Sequence, residues 1–330
     1  MRLKFIIVCY CLEIQLGAPF DWGTSNNRAT KIYKQALYHS IMKFSFSFAD
    51  RSIDLPPKIC EYLRDVERLI ASKIGAENVV SIILFGSYAR QDFTDNSDVD
   101  LLIILSDEFY KRKSRAYFKR LEELSLAIEL KHDLKIKRTG VITAILNVVE
   151  KTTGMFVSHF ICRKSDWEKQ IFFKIFGVNS FLSTLIAPGD IVLKNMSQSH
   201  LFLYGKEQLP RIKKIKLTQI IKSLIMTELI AVGSIFIFPL WRNVVKYSLE
   251  AFKWSVRNSF LYLSDRHASM GRIREFFTKT AVSERYFDEF LSLRNQFKRK
   301  FWFTARCPIQ IFKIYVAAIK YRKMFADESE

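Results

Sequence analysis

Two branched, apolar runs stand close together in this chain: Val79-Val80-Ser81-Ile82-Ile83-Leu84-Phe85 and Val99-Asp100-Leu101-Leu102-Ile103-Ile104-Leu105. Runs of this kind, with no polar alternation, suit strands covered on both faces, so each predicts a buried strand. Gly86-Ser87 breaks the first. A helix is expected in front of it: Asp54 can cap, Pro56 and Pro57 suit a first turn, and Ile59, Leu63, Val66, Ile70 and Ile74 recur at steps of three and four up to Gly75. The combination predicts an α/β unit.

The segment joining the two strands carries the chemistry. It opens with Gly86-Ser87-Tyr88-Ala89-Arg90 and ends with Asp98-Val99-Asp100-Leu101. A Gly-Ser pair between a strand and a short helix lets backbone come close to a phosphate, and the Ser87 hydroxyl adds a donor. Asp98 and Asp100, two residues apart at a strand start, fall on one face, with Val99 turned into the core. Two adjacent carboxylates repel, and oxygen-liganded divalent cations relieve that cost. A phosphate grip beside paired carboxylates is equipment for phosphoryl or nucleotidyl transfer. Asp92 and Asp95, in the loop before the pair, read as solvated.

Beyond this, a charged amphipathic helix is expected from about Asp107 to His132 and another from about Gly140 to Val149. Met155 to Cys162 reads as a third strand, and the chain beyond Lys206 as helical, with a break near Ser264–Met270. Three regions follow: a poorly defined N-terminal extension over 1–41, with Met42 as an alternative start, a catalytic domain over 42–205, and a basic helical domain over 206–330.

Charge is uneven. Of 52 Lys/Arg and 33 Asp/Glu, net +19, residues 201–330 hold 24 and 11, a net of +13. This predicts a polyanionic partner for the C-terminal part, either RNA or nucleotide phosphates. Lys253-Trp254-Ser255-Val256-Arg257-Asn258 and Arg294 to Phe303 interleave basic and aromatic residues, as single-strand binding and an amphipathic helix both require. Five cysteines without a CxxC pair exclude a disulfide scaffold and point to a reducing, cytoplasmic setting. No zinc-finger spacing occurs, so no structural zinc is expected. The apolar run Leu3–Leu12 is short for a membrane span. Ser223–Trp241 is long enough, but Glu228, Gly233 and Pro239 favour a buried core helix, and no membrane association is expected.

Gly86-Ser87, the gap and Ser97-Asp98-Val99-Asp100-Leu101 resemble the GS…SDxDL signature of nucleotidyltransferases of the DNA polymerase beta superfamily. The likeness is to the minimal and kanamycin-type members, and Gly86-Ser87-Tyr88-Ala89-Arg90 matches the GSxAR pattern of many minimal ones. It covers about residues 54–165. The resemblance implies an α/β (α+β) domain with a small mixed sheet, followed here by an all-α C-terminal domain. It implies Mg2+ or Mn2+, a nucleoside triphosphate such as ATP as donor, and a hydroxyl acceptor (RNA, protein or small molecule) that gains a nucleoside monophosphate as pyrophosphate leaves. Gly86, Ser87 and Arg90 would meet the nucleotide, and Asp98 and Asp100 the metal. Such enzymes place a third carboxylate on the next strand, where this chain has Ser158 and His159. Glu129, Asp133, Glu150 and Asp166 lie near in sequence. His159 could serve as base or ligand in its place, or be a hydrogen-bonded core residue. The alternatives to an enzyme are a non-catalytic nucleotide- or RNA-binding module and a regulatory partner in a toxin–antitoxin-like pair.

Overall fold

In the computed structural model the described residues are 55–94, 97–134, 158–205, 209, 214–239, 244–296 and 298–327. The expected extension 1–41, the helix over 140–149 and the start of the third strand lie outside them. Helix α1 (Pro57–Lys73) opens the described chain behind Pro56, and turns Ile59, Tyr62, Leu63, Val66 and Ile70 inward. Strand β1 (Val79–Phe85) follows, then the short helix α2 (Gly86–Arg90) and strand β2 (Asp100–Leu105).

The expected helix over 107–132 is two helices, α3 (Asp107–Arg112) and α4 (Arg115–Lys131). The break has a local cause: Lys113 is extended, and the Ser114 hydroxyl accepts the Tyr117 N–H at 3.3 Å, restarting the helix. Strand β3 (His159–Arg163) leads into α5 (Lys164–Glu168), α6 (Phe172–Ile175), α7 (Ser180–Ile186) and α8 (Gly189–Gln198). A fourth strand, β4 (His200–Gly205), was not expected from the pattern.

The sheet is mixed, in the order β3-β2-β1-β4. Strand β1 is antiparallel to β2 and β4, whereas β2 and β3 run parallel. Alternation divides its side chains. Leu101, Ile103 and Leu105 join α1 in one core, and Leu102, Ile104 and Phe160 join Trp167, Ile175 and Leu193 in another.

The rest is helical: α9 (Leu217–Ile237), α10 (Val245–Ser264), α11 (Met270–Thr280), α12 (Glu284–Asn295) and α13 (Phe301–Asp327). Their core is aromatic, with Phe252 edge-on or tilted against Tyr286, Phe287 and Phe290 at 4.8–5.6 Å. Helix α10 is the buried centre, on which α9 and α13 pack side by side. The expectation of a buried helix at 223–241 needs correction. Ser223, Met226, Ile230 and Ser234 of α9 are buried, but Ile225, Leu229, Val232 and Phe236 are exposed. Helix α9 has the length and apolarity to cross a membrane.

Candidate active site

Sheet register builds the first half of the site. Phe85 pairs with Asp100, so Gly86 lands beside the Asp100 carboxyl. Gly86 has φ +76, and a Cβ added there would overlap Asp100 Oδ2. Glycine alone admits both the backbone conformation and the approach. Ser87 is buried in α2, which closes at Gln91 (φ 58), where the Gln91 and Asp92 N–H groups donate to the Tyr88 and Ser87 carbonyls at 3.2 and 3.1 Å.

Asp100 shares its sheet face with Leu102 and Ile104. Burial, and after it the Asp98 carboxylate, push Asp100 up to about 8; Glu250 adds to this, while Lys253 and Arg90 oppose it. Lys246 Nζ lies 3.5 Å from Asp98 Oδ1.

Lys246, Lys253 and Glu250 come from α10. Most of that helix is buried and apolar, yet Lys246, Glu250, Lys253 and Arg257 recur at steps of four, three and four, which stacks them on one face. Glu250 Oε2 is 2.5 Å from Lys253 Nζ. Burial pushes the Glu250 carboxyl up, but Lys253, Lys246 and Arg294 together outweigh it and hold it below its ordinary range. Sequence reasoning missed Glu250. The signal was there, as charges at helical spacing inside an apolar helix, but only the packing of α10 shows which site they meet.

Three guanidiniums stand alongside. Arg257 donates to Asp92 Oδ2, Arg90 Nε is 3.3 Å from Asp92 Oδ1, and Arg294 of α12 donates to the Asp92 carbonyl at 3.4 Å. Burial lowers all three, Arg90 to about 10. His267, 3.5 Å from Arg257, is pushed down to about 4 by burial and then by Arg257 and Arg90. Asp92 is therefore not the solvated loop acid expected, because the helical region packs over its loop. One carboxylate against three guanidiniums leaves excess positive charge facing the site.

His159 is not brought to this group. It is the register partner of Leu101, so it turns to the opposite sheet face. There Nδ1 lies 2.9 Å from Glu129 Oε1 and Nε2 lies 2.5 Å from the Tyr62 hydroxyl. Ser158, whose carbonyl accepts the Leu101 N–H at 2.7 Å, flanks Asp100. Asp166 is held by Arg163 at 2.6 Å and faces Lys174 at 3.4 Å. Glu150 and Asp95 lie outside the described residues.

Several cations expected to hold nucleic acid are engaged within the protein. Lys253 pairs with Glu250, Arg257 with Asp92, and Lys300 with Glu289 at 2.6 Å, while Arg299 donates to the Phe238 carbonyl at 2.9 Å.

Among the described residues no three carboxylate, imidazole or thiol groups gather into a metal cage. Asp98 and Asp100 are the pair that could hold a divalent ion, its other ligands coming from substrate phosphates and water, as Mg2+ commonly takes them. The unfavourable charge proximity at Asp100 is what such an ion relieves.

Residues 62–152 match the family model of a nucleotidyltransferase domain. Over 81 residues the chain is 38% identical to a Methanocaldococcus jannaschii protein that bears the name protein adenylyltransferase, a match spanning 24% of this chain and 76% of that one. A second protein so named, from the same organism, is 35% identical over 82 residues, 25% of this chain and 78% of the relative. The crystal structure of a spectinomycin adenyltransferase from Enterococcus faecialis, with ATP and spectinomycin, aligns over 79% of this chain and 99% of that one. At TM-score 0.44 and 11% identity it is too distant to bear on this site. By identity to relatives matched over three quarters of their length, the chain belongs to the nucleotidyltransferase family.

Proposed function

We propose that the chain transfers an adenylyl group from ATP to a hydroxyl of an acceptor protein, within a catalytic domain over 42–205 that works against the helical domain over 206–330. The observation that carries this is the seating of Asp100 against Gly86, which unites the phosphate-gripping turn and the paired carboxylates at one point. The acceptor class follows the name the archaeal relatives carry. RNA is less favoured, because cations of the basic segments are engaged internally. A cytoplasmic location, where ATP is held, goes with this reading.

In this reaction the acceptor oxygen attacks the α-phosphorus, the bond from that phosphorus to the α–β bridging oxygen breaks, and pyrophosphate leaves with the electron pair. Gly86 and Ser87 take the triphosphate at the turn. Arg90, Lys246 and Lys253 balance its charge and that of the departing pyrophosphate. Asp98 and Asp100 would hold Mg2+ or Mn2+, which when bound supplies neutralisation of the charge developing at phosphorus. Glu250, ionised at neutral pH, takes the proton of the acceptor hydroxyl. It supplies from a helix the third carboxylate that β3 lacks among its described residues.

Incubation of the full chain with ATP labelled at the α-phosphate, divalent ion and a protein extract tests this. Label should pass to protein, and Asp100→Asn should abolish transfer. Glu250→Gln should lower kcat about 10²- to 10⁴-fold, the range for a general base, with ATP binding retained. Transfer that survives in Asp100→Asn, or ATP bound with no label passed to any acceptor, would refute the proposal.

A further inference from the structure

Helices α9 and α13 lie side by side on α10, and the face they turn outward is apolar. On α9 it is formed by Ile221, Ile225, Leu229, Val232 and Phe236, and on α13 by Ile309, Phe312, Val316 and Ile319, all exposed; Phe236 is 75% exposed. The residues recur at steps of three and four on each helix, so each forms a continuous stripe. A soluble monomer rarely leaves so many large apolar side chains together in water.

One border of this face is cationic. Arg306, Lys313 and Lys320 recur every seven residues of α13, so they form one exposed row, and that row runs along the edge away from α9. Tyr315, on the other side of α13, fixes the α9 edge through its hydroxyl, 2.6 Å from Ser223 Oγ. On the far border of α9, Lys222 donates to the Thr184 carbonyl of α7. The one acid on the described face is Glu228, part-buried.

We infer that this face lies on an anionic lipid bilayer, with the apolar stripes in the headgroup boundary and the basic row of α13 against lipid phosphates. Flanking Lys and Arg around an apolar band is the pattern of a helix lying in the plane of a membrane surface. A second copy of the chain fits less well, since the partner face would offer the basic row of α13 no acidic row to meet it. Insertion across the bilayer fits less well still. The inner side of α9 carries Ser223, Thr227 and Ser234, and these are bonded to Tyr315, Asn258 and Ser248 within the helical core. The inference is independent of the chemistry assigned to the active site.

The test is co-sedimentation of the full chain with vesicles of phosphatidylcholine alone and of phosphatidylcholine mixed with phosphatidylglycerol, at low and high salt. Binding should require phosphatidylglycerol and weaken with salt. Lys313→Ala with Lys320→Ala should weaken it about thirtyfold, at about one surface-lysine contribution each, and Leu229→Ser with Phe236→Ser should abolish it. Both pairs are exposed, so the folded state should survive, as circular dichroism would show. No binding to either vesicle overturns the inference, and so does equal binding to both. A dimer in solution that the Leu229→Ser, Phe236→Ser variant dissociates would assign the face to a second copy, and also overturns it.

Discussion

Substituting alanine at three glycines separates backbone strain from the packing that brings Asp100 to the turn. Gly177 has φ +62 with nothing within 4 Å of an added Cβ, so Gly177→Ala pays only the left-handed backbone cost, about 1–2 kcal/mol. Gly86 has φ +76 and the same backbone cost, but its Cβ would also displace the Asp100 carboxyl. That carboxyl is the far end of a short side chain and can swing aside at an off-rotamer cost of about 0.5–1.5 kcal/mol. The total for Gly86→Ala is then about 2–3 kcal/mol. Gly233, inside α9 with open space around it, should gain about 1 kcal/mol as alanine. The stabilities of Gly86→Ala and Gly177→Ala should therefore differ little, while their activities should differ greatly. A carboxylate moved by about 1 Å costs on the order of 100-fold in rate. Urea unfolding and adenylyl transfer, measured on all three variants, provide the comparison. If Gly86→Ala transfers label as fast as Gly177→Ala, Asp100 does not depend on that glycine and the reasoning fails.

Arg257→Gln leaves the part-buried Asp92 beside Arg90 without its main partner; because Asp92 is partly solvated, the cost in urea unfolding should be about 1–2 kcal/mol, below that of breaking a fully buried pair, and adding Asp92→Asn should recover part of it. Glu228, which lies on α9 and acts electrostatically on Tyr315 and Cys307 of α13, is raised by burial from 4.5 to about 7. A raised carboxyl contributes its full stability below about pH 4.5 and loses it as pH climbs through 7. Discounted for its partial exposure to solvent, the loss is about 1 kcal/mol. Glu228→Gln should flatten the thermal-unfolding profile between those values, and an unchanged slope would show that another group is responsible.

Patterns that act within one turn or one strand were legible in the chain. The apolar runs made β1 and β2, the three–four spacing made α1, and Gly86-Ser87 with Asp98 and Asp100 marked the site. Strand β4 was not legible, because its hydrogen-bonding partner β1 is more than a hundred residues away. The histidine of β3 looked usable, but register, which pairs it with Leu101, sends it to Tyr62 and Glu129. The paired carboxylates were thus determined locally, by alternation along one strand. Glu250, Lys246 and Lys253 at the same site were decided by where α10 lies beside the loop that carries Asp92 and Asp98. Likewise, composition made α9 long and apolar, and only its neighbours settled which half of that apolar surface is covered. Periodicity tells which side chains share a face; what that face meets depends on long-range packing, to which no local pattern is sensitive.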